Sequence, residues 1–213
     1  SHENLFLEAL PQVKQLKKEL EQENIYLRDK IALKHEHKEI VGQSEGIKKI
    51  LVQAEQVAAT ESTVLILGET GTGKELLAET IHNISPRKNR TMIKVNCAAL
   101  PSTLIESELF GREKGAYTGA LTMEKGRFQV AHGSSIFLDE VAEIPVDLQS
   151  KILRTLETGE VEPVGSDREV QVDVRVLAVT NKDLGALVRD GEFREDLYFR
   201  LVVVRIRIPP LRE

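Results

Sequence analysis

Eight residues constrain this chain more than any others. Gly68-Glu69-Thr70-Gly71-Thr72-Gly73-Lys74-Glu75 follows directly on the apolar run Val64-Leu65-Ile66-Leu67 and precedes a helical pattern. Strand, glycine-rich turn and helix in that order, with the spacing G-x-x-x-x-G-K, make a phosphate-binding loop. The glycines permit backbone angles that turn successive N–H groups inward, forming a concave anion nest. The following helix adds the positive end of its dipole, and Lys74 adds a mobile cation. Residues 68–75 are therefore the candidate nucleotide-phosphate site. One position departs from the motif, which normally closes on a Ser or Thr hydroxyl that meets magnesium. Here residue 75 is Glu, and three roles stay open for it: direct metal ligand, ligand through water, or a charge that favours the helix start. Thr72 lies too early in the loop to stand in for that hydroxyl.

The rest of the chain from Ile40 onward has the texture such a loop requires. Further apolar runs occur at 92–95, 136–138, 174–179 and 202–208, and helical patterns lie between most of them, at 74–84, 103–110 and 146–157. Short continuous apolar runs read as strands buried on both faces. Their alternation with helices predicts right-handed βαβ units and a mostly parallel sheet covered by helices, a three-layer α/β fold. Two stretches interrupt the scheme. Residues 111–126 form a glycine-dotted loop, and 159–172 read as a small β excursion.

The second half of a nucleotide site belongs on another strand. Ile136-Phe137-Leu138-Asp139-Glu140 is an apolar run ending in two acids. Beside a phosphate loop, Asp139 is expected to organise the metal and Glu140 to polarise an attacking water. Asn96 ends the preceding strand, where it either hydrogen-bonds Glu140 or serves as a solvated turn residue.

The 213 residues divide near residue 40. Residues 12–38 contain no glycine and no proline, and Val13, Leu16, Leu20, Leu27 and Ile31 mark one narrow helical stripe interrupted by Asn24. Pairing with a second helix and packing as a linker on its own domain are both open; in a coiled coil, Asn24 would set the register. No apolar run approaches the length of a membrane span. The single cysteine, Cys97, excludes an internal disulfide and fits a reducing cytoplasm. A net charge of −5 argues against a general nucleic-acid binder. The five histidines show no ligand spacing.

Within Glu108-Leu109-Phe110-Gly111-Arg112-Glu113-Lys114 and the residues that follow lies Gly115-Ala116-Tyr117-Thr118-Gly119-Ala120. With the phosphate loop and acidic pair at this spacing, residues 40–213 resemble the central AAA+ ATPase domain of the NtrC-family sigma-54-dependent activators. Within that family the chain looks most like the formate hydrogenlyase activator group. The family's loop reads GAFTGA and contacts sigma-54 in relatives; here Tyr117 keeps the ring and adds a hydroxyl. The family's own phosphate loop carries Glu where this chain has Glu75.

The resemblance implies further roles. Asn96 falls where relatives couple the catalytic Glu to the loop. Thr180-Asn181 matches the sensor that reads the γ-phosphate. Ile40-Val41-Gly42 is placed near the adenine. Arg194 and Arg200 match arginines that reach a neighbouring subunit's nucleotide; without the resemblance, ion pairs with Glu192, Glu195 and Asp196 would explain them. Six residues apart on a helix, these two arginines would point about 240° apart. Arg154 belongs either to that interface or to a solvated helix face.

The implied activity is magnesium-dependent ATP hydrolysis in a homo-oligomeric, hexameric ring that remodels the sigma-54 RNA polymerase closed complex. An AAA+ remodeller acting on another protein client is the alternative. Relatives continue past residue 213 into a helical lid and a DNA-binding helix-turn-helix. Weak nucleotide binding and dimers through residues 13–31 are accordingly expected of these residues alone.

Overall fold

The computed structural model describes residues 45–116 and 122–209. Helix α1 (Glu45–Ala58) leads into β1 (Val64–Leu67), α2 (Lys74–Asn83) and β2 (Ile93–Asn96). Next come α3 (Ser102–Phe110), a short β3 (Gly111–Arg112), β4 (Glu124–Lys125) and α4 (Arg127–Val130). After β5 (Ser135–Asp139), a 3-10 turn at Val141–Glu143 precedes α5 (Val146–Thr158) and the strands β6 (Glu160–Val161) and β7 (Val170–Gln171). The described chain closes with β8 (Arg175–Thr180), α6 (Leu184–Arg189), α7 (Glu195–Leu201) and β9 (Val204–Arg207).

Five strands form one parallel sheet in the order β2-β5-β8-β1-β9. The burial of each strand follows its place. Every residue of central β8 is buried, whereas edge strands β2 and β9 expose Lys94, Asn96, Arg205 and Arg207. Covering both faces of the centre selects continuous apolar runs, and charges on the edges discourage further strand pairing. The main core gathers Leu65, Ile136, Leu138 and Ala178 from the sheet with Leu109, Leu148, Ile152 and Leu197 from the helices. Helix α1, absent from the sequence reading, packs against α2 and β9.

Arg175, inside the apolar run read as a strand, is 2% exposed. Its guanidinium donates to the carbonyls of Val57 and Ala58 at 2.7 and 3.1 Å and reaches Ser62 O at 3.4 Å. The first two oxygens lie at the end of α1, where carbonyls lack partners within the helix and the dipole favours a cation. A buried charge is tolerated because it closes that helix end.

Both irregular stretches are framed by small antiparallel ladders. β3 pairs with β4 around the 111–126 loop, and β6 pairs with β7 within 159–172. The first insertion emerges between α3 and α4, whose Phe110 and Phe128 rings stack at 5.7 Å. A Cβ on Gly126 would lie 2.2 Å from the Phe110 carbonyl carbon and 2.5 Å from Leu109 O. Only glycine lets the two helices meet this closely. The insertions touch at their bases, where Glu113 N–H donates to Val164 O and Val164 N–H to Gly111 O.

Candidate nucleotide site

Parallel strands all deliver their C-terminal ends to one edge of the sheet, and the candidate residues arrive there together. β1 ends in the phosphate loop, β5 in Asp139, β8 in Thr180 and β2 in Asn96. Gly73, the residue before α2, takes φ +87°, and Gly71 takes φ +82°. No heavy atom lies within 4 Å of the position a Cβ would occupy at either one. The glycines thus serve backbone conformation rather than packing, which suits a loop that presents N–H groups to an anion. Lys74 Nζ donates to the carbonyls of Gly68 and Glu69 at 2.9 Å each, and Thr72 Oγ1 donates to Glu69 O at 2.8 Å. Val41 and Gly42 lie outside the described residues, as do residues 12–38.

Glu140 has φ 51° and ψ 55°, the left-handed region. Strained non-glycine backbone of this kind concentrates at functional sites. Thr180 Oγ1 and the Asn181 N–H each donate to Glu140 Oε2 at 3.3 Å. Asn181 Nδ2 donates to Thr70 Oγ1 at 3.1 Å, so one residue bridges the carboxylate and the phosphate loop. A cleft of about 360 Å³ opens beside them, lined by Gly68, Glu69, Asn181, Tyr198 and Ile208. Its size falls in the range of small-molecule sites.

Of the two readings open for Asn96, the structure shows the exposed strand-end turn residue. Its Nδ2 donates to Asp139 Oδ2 at 3.3 Å, not to Glu140, and its Oδ1 accepts from the amides of Ala98 and Ala99. The register explains this, because Asn96 pairs directly with Asp139 across β2 and β5. Burial, and then the charge of Glu140, raise the Asp139 carboxyl above its ordinary value; Glu75 adds to the effect and Lys74 opposes it. A carboxyl that resists ionisation beside a second carboxylate is one whose charge a divalent cation would favour. Among the described residues no three His, Cys, Asp or Glu side chains group to hold a metal. A carboxylate such as Asp139 suits magnesium, which takes one or two carboxylates and completes its shell with phosphate oxygens and water. Glu75 is ion-paired with Lys94 at 2.8 Å.

The arginines are separate from this cluster. Arg194 precedes α7 as its N-cap residue with extended backbone, so the 240° relation to Arg200 does not apply. Its guanidinium forms a two-pronged pair with Asp196, at 3.0 and 2.7 Å. Arg200, on α7, donates to the Leu156 carbonyl at 2.8 Å. Arg154 pairs with Glu160 at 3.0 Å and with Glu169. Gly115 and Ala116 close a turn in which Ala116 N–H donates to Glu113 O. Tyr117, Thr118, Gly119 and Ala120 lie outside the described residues. Cys97 is buried and its thiol is pushed up to about 12, which leaves no reactive thiolate near neutral pH.

A glycine-rich loop between β1 and α2, an acidic pair ending β5 and a polar sensor ending β8 define a P-loop NTPase of the AAA+ type. The sigma-54 interaction domain model matches residues 40–207. The formate hydrogenlyase transcriptional activator FhlA of Escherichia coli K12 is 52% identical over 206 residues, 96% of this chain and 30% of that protein. A Nif-specific regulatory protein of Azorhizobium caulinodans is 56% identical over 174 residues, 82% of this chain and 28% of that protein. The structure of NtrX from Brucella abortus in complex with ATP superposes with a TM-score of 0.80 at 37% identity, covering 92% of this chain and 42% of that one. The chain belongs to the sigma-54 interaction domain family, the AAA+ ATPase module of sigma-54-dependent transcriptional activators. It spans about 30% of the length of these curated relatives.

Proposed function

We propose that this domain binds and hydrolyses ATP with magnesium and uses the energy to remodel sigma-54 RNA polymerase at promoters. The observation that carries the reading is the meeting of Lys74, Asp139, Glu140 and Asn181 at one sheet edge. The loop amides and Lys74 bind phosphate oxygens. Magnesium, which Asp139 would hold, would supply charge neutralisation at the phosphates. Glu140 orients the attacking water, and its aim is set by Thr180 and Asn181. Asn181 also touches Thr70, so a change at the terminal phosphate is felt by Glu140 and by the phosphate loop together.

The output is assigned to Gly115–Ala120, with Tyr117 and Thr118 as the sigma-54 contacts. Arg200 and Arg194 complete the neighbouring subunit's site in a homo-oligomeric ring, Val41 and Gly42 approach the adenine, and residues 1–39 are the linker to regulatory parts of a longer protein. DNA contact falls to a further C-terminal domain of such a protein. Among the described residues no helix is long and apolar enough to cross a membrane. The test is capture of purified sigma-54 by the full chain loaded with ADP and aluminium fluoride. Capture that needs the nucleotide complex and is lost in Thr118→Ala supports the reading, and equal capture without nucleotide contradicts it.

A further inference from the structure

At position 75 the phosphate-loop motif ordinarily supplies a neutral hydroxyl. Here it supplies a carboxylate, and the partner of that carboxylate lies on β2. Lys94 Nζ is 2.8 Å from Glu75 Oε1 and also meets Glu79 Oε1. Glu75 and Glu79 are four residues apart and share a face of α2. Their surroundings differ sharply, since the Glu79 side chain is 6% exposed and that of Glu75 is 59% exposed. A buried carboxylate demands a paired cation. Glu79 therefore anchors the ammonium, and the anchored ammonium holds the looser Glu75. Lys94 precedes Asn96 by two residues and faces the same side of β2. Asn96 in turn reaches Asp139. One lysine thus ties the helix of the phosphate loop to the edge strand beside the metal carboxylate.

Charge gives this tie a consequence. Asp139 and Glu140 already place two carboxylates where phosphate and a divalent cation would meet, and Glu75 adds to the field on Asp139. A third uncompensated carboxylate would repel phosphate directly. Resting on the reading of residues 68–75 as a nucleotide site, we propose that Lys94 is a positioning residue that ties Glu75 back against Glu79. The loop then keeps its affinity for nucleotide in the absence of metal, and the cation is left to Asp139.

The experiment compares binding of the fluorescent nucleotide mant-ADP to the full chain in magnesium and in EDTA. The quantity read is the factor by which magnesium tightens binding. Lys94→Met is expected to raise that factor about fivefold to tenfold over wild type, mainly by weakening metal-free binding, the order expected for one unit charge beside phosphate after solvent screening. Lys94→Arg should keep the wild-type factor, and adding Glu75→Gln to Lys94→Met should restore it. Because Lys94→Met removes a cation beside buried Glu79, Lys94→Met with Glu79→Gln serves if the single variant does not fold. An unchanged factor in a folded Lys94→Met protein overturns the proposal, as does a raised factor that Glu75→Gln leaves in place. Wild-type protein that binds no mant-ADP in either buffer would instead remove the nucleotide reading beneath it.

Discussion

Replacing Glu140 in turn by Gly and by Ala weighs the strain in the turn that aims its carboxylate. Among the described residues Glu140 is the one non-glycine with positive φ. Both replacements remove the carboxylate and its contacts with Thr180 and Asn181, so those losses cancel in the comparison. What remains is backbone. A residue with a Cβ costs about 1–2 kcal/mol in the left-handed region. Glycine gives back about 0.4–1 kcal/mol through its freer unfolded chain. The Gly variant should therefore be the more stable by about 1 kcal/mol, or roughly 2–4 °C in melting temperature for a domain of this size. In an ordinary right-handed position the order would be reversed. Paired calorimetric melts at the same protein concentration read the difference. An Ala variant as stable as the Gly variant, or more so, would refute the claim that the turn at Glu140 is strained.

Gly126→Ala should destabilise the fold by about 3–5 kcal/mol, because its Cβ would collide with the α3 backbone; urea unfolding monitored by circular dichroism measures the loss. His82 is buried, with Nε2–H donating to Arg90 O and Nδ1 accepting from Ser135 Oγ–H, and burial holds its imidazole below the ordinary 6.5. The unfolded chain therefore takes up this proton first: the neutral ring's contribution is complete above about pH 6.5 and falls below it by up to about 1.4 kcal/mol per pH unit, and His82→Gln should flatten that limb of a stability–pH curve. In a longer protein that carries the lid, Arg200→Ala should lower turnover about 10³–10⁵-fold, and mixing it with Glu140→Gln protein should restore part of the activity through rings that contain an intact composite interface. No recovery in confirmed mixed assemblies would place Arg200 outside the site.

The central strands were legible because burial on both faces leaves no room for alternation, and the phosphate loop because its glycines and lysine have fixed spacing. Contacts between elements were less so. Lys94 and Glu75 are 19 residues apart, and only the packing of α2 on the sheet edge brings them together. Asn96 could be placed at the site from its strand-end position, but the choice between Asp139 and Glu140 depends on register. The relation of about 240° put Arg194 and Arg200 on one helix, yet the helix starts one residue after Arg194. The role of Arg175 within the 174–179 run was not legible, since its carbonyl partners at the end of α1 lie more than 110 residues earlier. Helix α1 did leave a signal, in the apolar spacing of Ile47, Ile50, Ala54, Val57 and Ala58.

The central claim is that binding and turnover of nucleotide are divided between Lys74 and Glu140. Calorimetric titration of the full chain with ATPγS and magnesium tests it on wild type, Lys74→Ala and Glu140→Gln, with melts confirming that all three fold. Wild type and Glu140→Gln should bind with similar affinity, and Lys74→Ala should give no measurable heat of binding. Lys74→Ala binding as tightly as Glu140→Gln would contradict the account.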